Sequence, residues 1–498
     1  MGQILMPERF DEAACLRFGE RLRQNLEVLR VLLGRPSFSE GETTIGAELE
    51  LFLVDGAGRP LSENGEVLAR TTDRRFTLEI DRFNVEFNAL PCLLAGRPFS
   101  AKHAELAEAL REITRAASEV GGRVVPIGIL PTLRRSDLEF SALSDAPRYR
   151  ALARRLREKR KGPFHVRIDG ADPLAFDTDD IALEGAGTSF QVHLRVPANR
   201  FAQFYNAAQI ATIPALAASG NSPFLVGHRL WEETRIALFK QSVDDRVDHA
   251  FSYRAPSRVS FGHGWARHGA YELFAESVAL HSPIFPVCSS EDPVEALRLG
   301  KTPELSELRL HHGTVWNWNR AVYDPAGGGH LRIEMRALPA GPTLVDMVAN
   351  AAFLLGLTLG LVDQVDDLMP AYPFVSAEHA FYRAAQSGLS ARLPFPQQNA
   401  PGMREVDAKA ICLELLPTAR RGLVSYGVAE DEADHYLAIV ASRVRSGRTG
   451  ARWQRSVFES FLAKMPRDEA LSAMLLLYQA NVETGEPVSA WPLESEAV

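Results

Sequence analysis

The chain has 498 residues, of which 46% are hydrophobic and 24% are charged, and its formal net charge is −8 at pH 7. This composition is ordinary for a globular protein, and the negative charge argues against a general nucleic-acid binder, which needs a basic surface. A phosphate-bearing ligand would have to be held by metal ions or by a few placed arginines.

Apolar and polar residues alternate with periods that predict a mixture of helices and strands. In chain order, the pattern predicts a helix over 9–34, strands over 41–55 and 76–90, a helix over 100–120, a strand over 124–129, a basic helix over 149–161, a strand over 187–197, helices over 200–219 and 229–243, strands over 314–323 and 330–337, a helix from Thr343, and helices beyond about residue 400. The absence of a regular strand–helix–strand rhythm favours an α+β fold with an antiparallel sheet.

Local residue types refine these elements. The stretch 76–90 is expected to bend near Arg82, and Ser100 is expected to cap the helix that follows. The glycines at 327–329 are typical of a hairpin turn, because they lack the pattern of a phosphate-binding loop. The last dozen residues are expected to be disordered.

Cysteine usage and hydropathy favour a cytoplasmic protein. The four cysteines lie far apart and form no CxxC pair, which fits a reducing compartment and speaks against a zinc knuckle. The N-terminus lacks an apolar run behind basic residues, so we predict no signal peptide. The most apolar window, 351–362, is too short to span a bilayer and predicts a buried core helix. We therefore expect neither a membrane nor a nucleic-acid partner.

Four predicted strands combine an apolar face with a second face that carries chemically active side chains. Because strand side chains repeat every two residues, the sets expected to share a face are Glu48 with Glu50, Glu79 with Asp81, Glu86 with Asn84 and Asn88, Gln191 with His193, and Glu334 with Arg336. Lysine is absent from all four faces and carboxylates dominate three. Clustered carboxylates repel one another unless a cation lies between them, and Mg²⁺ prefers oxygen ligands. The pattern leaves two interpretations open: a metal–phosphate site, or an ordinary half-solvated sheet.

Two other residue pairs carry weaker signals. Trp316 and Trp318 alternate with asparagines on a predicted strand, so they are expected either to line a binding funnel or adenine slot or to pack in the core. His311 and His312 lack the context of a metalloprotease motif and are expected to lie on the surface.

Short motifs in the same order along the chain resemble those of the glutamate–cysteine ligase family, including its bacterial carboxylate–amine ligase relatives. The segments that carry this resemblance are Gly46-Ala47-Glu48-Leu49-Glu50, the stretch from Glu79 to Phe87, Gly187-Thr188-Ser189-Phe190-Gln191-Val192-His193, Asn221-Ser222-Pro223-Phe224, Gly313-Thr314-Val315-Trp316 and Arg332-Ile333-Glu334-Met335-Arg336. The similarity runs from about residue 40 to about residue 365. This sequence departs from the family in a glycine-rich excursion over 320–331, and in glutamine at position 191, where some branches have histidine.

The resemblance implies a glutamine-synthetase-like fold, in which an antiparallel sheet forms an open funnel that is flanked by helices and binds two or three Mg²⁺ ions, with Mn²⁺ as an alternative. It implies these metal ligands: Glu48, Glu50, Glu79, Glu86, Gln191 and Glu334. It implies that Arg336 contacts the transferred phosphoryl group, with Glu334 and His193 beside it in the catalytic set. Gln191, Arg235 and Arg336 are the residues expected to contact the bound nucleotide and substrate. Arg235 resembles an arginine that holds an amino-acid carboxylate, and its rival interpretation is a surface helix arginine.

We therefore expect an ATP- and Mg²⁺-dependent ligase that joins a carboxylate to an amine through an acyl phosphate, with L-glutamate and L-cysteine as the first small-molecule pair to test. The alternatives are a phosphotransferase on the same fold and a non-catalytic nucleotide-binding regulatory protein. The expected organisation is a catalytic domain over 1–390 and a helical extension over 391–498. A homo-oligomer is compatible with the sequence.

Overall fold

The computed structural model describes residues 10–36, 38–247, 256–396 and 402–493. Its strands are β1 Thr44–Val54, β2 Phe76–Leu78, β3 Asn84–Leu93, β4 Arg123–Val125, β5 Phe164–Ile168, β6 Leu174–Thr178, β7 Phe190–Val196, β8 Phe224–Leu225, β9 His228–Arg229, β10 Val259–Ser260, β11 Trp316–Asn317, β12 Asn319–Asp324, β13 His330–Met335, β14 Arg392–Pro396 and β15 Met403–Asp407. Its helices are α1 Glu12–Leu33, α2 Asn64–Leu68, α3 Pro98–Ser118, α4 Pro147–Arg160, α5 Phe201–Ser219, α6 Thr234–Ser242, α7 Ala270–Leu280, α8 Pro293–Arg298, α9 Ser306–His312, α10 Leu344–Leu361, α11 Val365–Leu368, α12 Phe374–Ser387, α13 Ala408–Ser425, α14 Glu430–Ser446, α15 Gly450–Leu462 and α16 Arg467–Thr484.

Seven of the strands in these ranges form one antiparallel sheet, in the order β12-β13-β7-β1-β3-β2, with β4 paired to the end of β1. One face is apolar and packs on helices, and its side chains Leu49, Val192 and Ile333 are at most 2% exposed. Because successive strand side chains point to opposite faces, the polar residues between them all lie on the other face. The α+β fold with an antiparallel sheet that the sequence predicts is confirmed.

Helices α5, α10, α13 and α14 pack together beneath the sheet. Of the described helices, α10 has the length and composition to cross a membrane, but 83% of it lies inside the protein. The prediction of a buried core helix around residues 351–362 is confirmed. Glycines let α10 and α13 approach closely, since a Cβ at Gly422 would collide with the Gly356 carbonyl oxygen.

The C-terminal helices are joined to this core by buried polar contacts as well as by apolar packing. Arg443 on α14 forms a 2.6 Å ion pair with Asp346 on α10, and both side chains are at most 1% exposed. The helical pattern predicted beyond about residue 400 begins only at Ala408, because β14 and β15 pair as a hairpin before it. Residues 397–401 lie outside the described ranges.

The described residues of the last dozen, up to residue 493, pack against the protein, against the prediction of disorder there. Trp491 is 1% exposed, and its ring lies 5.1 Å from that of Trp453 and 5.2 Å from that of Tyr478. Large aromatic side chains bury enough apolar area to hold a short segment in place. Residue 9, at the start of the first predicted helix, and residues 494–498 lie outside the described ranges.

Two boundary predictions are wrong for identifiable reasons. The predicted cap Ser100 lies inside α3, which begins at Pro98, because proline is well suited to the first helical turn. The predicted helix 229–243 begins at Thr234, since the chain first makes the short strand β9.

The stretch 76–90 also differs from its prediction. It forms two antiparallel strands, with a reversal of the chain in place of a bend near Arg82. Glu79 and Asp81 therefore lie in the connection between β2 and β3 and do not share a strand face.

The predicted surface position of His311 and His312 is wrong as well. They are 2% and 4% exposed, because α9 packs against α7 and both rings bond to Ser277. The glycine turn at 327–329 does join two paired strands, β12 and β13, as predicted.

Candidate active site

The strand register brings the predicted site residues together on the polar face of the sheet. Glu48 on β1 is paired with Gln191 on β7, and His193 on β7 is paired with Glu334 on β13. Glu50 on β1 faces Glu86 on β3. Three neighbouring strand pairs thus place six carboxylate, amide and imidazole side chains in a continuous row.

One group in this row has the geometry of a cation site. The ligand atoms of Glu48, His193 and Glu334 all lie within 4.8 Å of one another. His193 Nε2 is 3.2 Å from Glu48 Oε1 and 3.9 Å from Glu334 Oε1. Arg332 Nε donates to His193 Nδ1 at 3.1 Å, so the neutral ring carries its proton on Nε2, which faces the two carboxylates. The two carboxylates fit a divalent metal ion, and a ligand role for His193 Nε2 would require the ring to give up the bond from Arg332.

Two arginines hold the Glu334 carboxylate in place. Arg320 on β12 binds it through both nitrogens of its fork, at 2.7 and 3.1 Å, and Arg336 Nη1 donates to it at 3.1 Å. Burial alone would raise the pKa of Glu334, but the charges of Arg320 and Arg336 outweigh it and lower that pKa. Glu334 is therefore ionised throughout the neutral range.

Arg336, Gln191 and Glu50 form a hydrogen-bonded chain. Arg336 Nη1 donates to Gln191 Oε1 at 2.6 Å, and Gln191 Nε2 donates to Glu50 Oε1 at 2.9 Å. The backbone N–H of Ser189 donates to the other Glu50 oxygen at 2.7 Å. In this geometry the Gln191 amide orients Arg336 and Glu50. A metal-ligand role would require its oxygen to leave Arg336.

A second group of carboxylates lies beside Glu50. Asn88 Nδ2 and Thr77 Oγ1 donate to Glu86 at 2.6 and 3.2 Å. Burial, followed by the negative charges of Glu48 and Glu50, raises the pKa of Glu86 to about 7. Burial, followed by the charge of Glu86, raises the pKa of Glu79 well above its usual range. These shifts show an excess of negative charge, which bound cations would relieve.

An open cavity lies next to Glu50 and Arg336, and its empty space of about 360 Å³ includes solvent at its mouth. Arg235 lines it and is 5% exposed, so the interpretation of Arg235 as a surface residue is wrong. Its guanidinium donates to Glu233 at 3.1 Å and to the Ala337 carbonyl oxygen, and it lies 5.6 Å from the centre of the Trp318 ring. It also donates to the Arg336 carbonyl oxygen at 3.4 Å. These three bonds leave two of its five N–H groups for a ligand.

The loop with the sequence Asn-Ser-Pro-Phe supports Arg235 from behind. The backbone N–H of Asn221 donates to Glu233, the ion-pair partner of Arg235, at 2.9 Å. The Asn221 side chain donates to Tyr478 on α16 at 2.9 Å and accepts from Gln454 on α15 at 2.8 Å. The C-terminal helices therefore help to position a residue of the cavity.

Sequence reasoning missed three residues of this site. Arg320 and Arg332 lie on the predicted strands 314–323 and 330–337, so the alternation of those strands could have found them. Glu184 lines the cavity from a short 3₁₀ segment, Ile181–Ala186, which has no periodicity to reveal it.

Comparisons with known proteins bear on this site. A family model described as glutamate–cysteine ligase family 2 (GCS2) matches residues 44–475, which extends well past the region where we recognise motifs. No curated protein sequence gave a significant match.

Among solved structures, glutamate–cysteine ligase from Francisella tularensis in complex with AMP is similar over 92% of this chain and 93% of that chain, with a TM-score of 0.53 and 10% identity. A bifunctional glutathione synthetase from Pasteurella multocida is similar over 92% of this chain and 53% of that chain, with a TM-score of 0.47 and 12% identity. The first of these likenesses confirms the glutamine-synthetase-like fold that the motifs imply.

Proposed function

The chain belongs to glutamate–cysteine ligase family 2, and from that premise we propose that it is an ATP- and Mg²⁺-dependent carboxylate–amine ligase that forms an amide through an acyl phosphate. The observation that carries this proposal is the cluster of Glu48, His193 and Glu334 with Arg336 at its edge. It combines a cation site with an always-charged guanidinium, and phosphoryl transfer needs both.

The residues that would hold Mg²⁺ fall into two neighbouring groups on the polar face of the sheet. We assign Glu48 and Glu334, with His193, to one position, and Glu50, Glu79 and Glu86 to the neighbouring carboxylate group. Gln191 stays in the proposed ligand set, on the condition that its amide oxygen leaves Arg336 to reach the metal ion. Bound Mg²⁺ would neutralise the phosphate charges of ATP and align its γ-phosphoryl group with the attacking carboxylate.

Arg336 acts on the transferred phosphoryl group in this proposal. A carboxylate is a poor electrophile, and phosphorylation makes phosphate its leaving group. The planar guanidinium would stabilise the phosphoryl oxygens, while Gln191 and Glu334 hold it in position. An amine then attacks the acyl carbon. The C–N bond forms, and the bond between the acyl carbon and the phosphate oxygen breaks.

We propose small amino acids as the substrates, with L-glutamate and L-cysteine as the first pair. The buried Arg235, with two N–H groups to spare, supports a site for an amino-acid carboxylate. A cytoplasmic location, a homo-oligomeric state and the division into 1–390 and 391–498 are further proposals that the sequence alone supports.

The test is to incubate the protein with ATP, Mg²⁺ and panels of carboxylates and amines, to follow ADP and phosphate, and to identify the product by mass. We expect equal amounts of ADP, phosphate and amide. Glu50→Ala and Glu334→Ala should abolish this turnover with the fold retained, whereas Glu66→Ala, a matched change at an exposed carboxylate on α2, should not. Wild-type turnover in the Glu50 or Glu334 variant would contradict the site. ADP without amide or free phosphate would indicate a phosphotransferase.

A further inference from the structure

The cavity beside Glu50 and Arg336 has a lining of two chemical kinds. Part of it is charged, with Glu50, Glu184, Arg235 and Arg336, and part of it is apolar, with Leu238 and Phe239 on α6. A small molecule that fills such a space needs charged groups on one side and an uncharged portion on the other. The roles proposed above use Glu50, Arg235 and Arg336 but leave Glu184 without one.

The backbone that carries Glu184 is closely packed. A Cβ at Gly185 would lie 2.5 Å from the Asp81 carboxyl group, and a Cβ at Gly187 would lie 2.7 Å from Arg235 Cγ. The Gly187 N–H also donates to the Glu184 carbonyl oxygen at 3.2 Å. Such close packing on both sides leaves the segment little room to move, so the Glu184 side chain is presented to the cavity from a fixed position.

The Glu184 carboxylate has no direct partner in the described part of the chain: no hydrogen bond and no ion pair engages it there. Glu50, the other carboxylate of the cavity, is occupied by the Ser189 N–H and the Gln191 amide. Burial, followed by the negative charge of Glu50, raises the pKa of Glu184 to about 7, although the charge of Arg336 acts in the opposite direction. A partly buried carboxylate in that position calls for a cationic group of a ligand.

The incoming amine is the substrate group that meets this requirement. A primary amine is an ammonium ion at neutral pH. Its nitrogen must lose one proton to become a nucleophile and must approach the acyl carbon to within about 3–3.5 Å before it can react. That carbon must lie next to the phosphoryl group assigned to Arg336, and so the nitrogen must enter the cavity that Arg336 lines. Of the carboxylates in its lining, Glu184 is the one that remains available.

We propose that Glu184 binds the ammonium group of the amine substrate, and that Leu238 and Phe239 contact its side chain and so favour α-amino acids with a compact, uncharged side chain. This inference rests on the proposed ligase function. Glu184 is then a specificity-determining residue that contacts the acceptor and takes no part in activating the donor carboxylate.

Hydroxylamine separates the two half-reactions, because it is uncharged at neutral pH and attacks acyl phosphates directly. With L-glutamate, ATP and Mg²⁺, the wild-type protein should form a hydroxamate, and Glu184→Gln should form it at a similar rate. With L-cysteine or L-α-aminobutyrate as the amine, Glu184→Gln should raise the KM for the amine by about 30-fold, the usual range for a lost charge-assisted bond, and leave the KM for ATP unchanged. Glu184→Asp should recover part of the loss.

A matched control is Asp180→Asn. Asp180 lies next to the same 3₁₀ segment, but its carboxylate pairs with Arg157, away from the cavity. It should leave both reactions unchanged. An unaltered KM for the amine in Glu184→Gln, or an equal loss of hydroxamate formation, would overturn the role of Glu184. Hydroxamate formation without amide formation from either amine in the wild type would overturn the inferred substrate class alone. Absence of the hydroxamate itself would contradict the proposed acyl-phosphate function.

Discussion

Replacement of Glu86 by glutamine removes one negative charge from the carboxylate group while keeping an oxygen acceptor for Asn88 and Thr77. Burial and the charges of Glu48 and Glu50 raise the pKa of Glu86 from 4.5 to about 7. At about 1.36 kcal/mol per pKa unit, this shift corresponds to about 3 kcal/mol. The pKa of Glu86 is higher in the folded state than in the unfolded state. Its contribution to the free energy of unfolding is therefore fully present at pH values below the unfolded-state pKa and is lost as the pH rises through about 7.

The metal-free variant should therefore be the more stable protein above pH 7. An unfolding entropy of about 2.1 cal/mol/K per residue gives about 1 kcal/mol/K for the whole chain, so the expected rise in Tm is about 3 °C. The wild type should lose stability between about pH 4.5 and about pH 7, and Glu86→Gln should lack the part of that slope that Glu86 contributes, since the pKa of Glu79 is raised as well. Thermal unfolding in a chelator, followed across this pH range, measures both effects.

Mg²⁺ should reverse the order of the two proteins. A cation that binds only the folded state stabilises it by about 4.1 kcal/mol at a thousand times its Kd, which exceeds the deficit of about 3 kcal/mol. The wild type should gain this stabilisation above pH 7, and the variant should lose most of it, because it lacks a ligand charge. Glu66→Gln is the matched exposed control. A lower Tm for metal-free Glu86→Gln, or equal stabilisation of both proteins by Mg²⁺, would refute the reasoning.

Three further changes test separate parts of the account. Arg336→Lys should lower kcat by at least about tenfold, since an ammonium cannot reproduce the planar fork, and a smaller loss in steady-state assays would argue against a transition-state role. Arg320→Met removes the two hydrogen bonds that Arg320 donates to Glu334, so the Mg²⁺ concentration for half-maximal activity should change. An unchanged value would show that these bonds do not affect the metal. Gly422→Ala should cost about 1–3 kcal/mol by overpacking against Gly356, and an unshifted urea midpoint would contradict the close approach of α10 and α13.

The core of the site could be predicted from the sequence because its strands obey a simple rule. Side chains alternate between faces along β1, β7 and β13, so apolar residues at every second position determine where Glu48, His193 and Glu334 must point. Antiparallel pairing then brings these three side chains together, as the register confirms.

The remaining parts depend on contacts that no local pattern encodes. The sequence predicts a strand face for Glu79 because the reversal after β2 contains carboxylates at strand-like spacing and no glycine or proline. Glu184 is placed by the close packing of Gly185 against Asp81, which depends on residues far apart in sequence. The burial of Trp491 likewise follows from tertiary packing against α15 and α16.

In the proposed reaction, a carboxylate attacks ATP and forms an acyl phosphate on the polar face of the sheet. The most direct measurement uses a donor carboxylate labelled with ¹⁸O, together with ATP, Mg²⁺ and an amine, and examines the released phosphate by mass spectrometry. We expect each phosphate to carry one ¹⁸O from the donor, with one ADP and one amide formed. Unlabelled phosphate, or AMP with pyrophosphate, would contradict it.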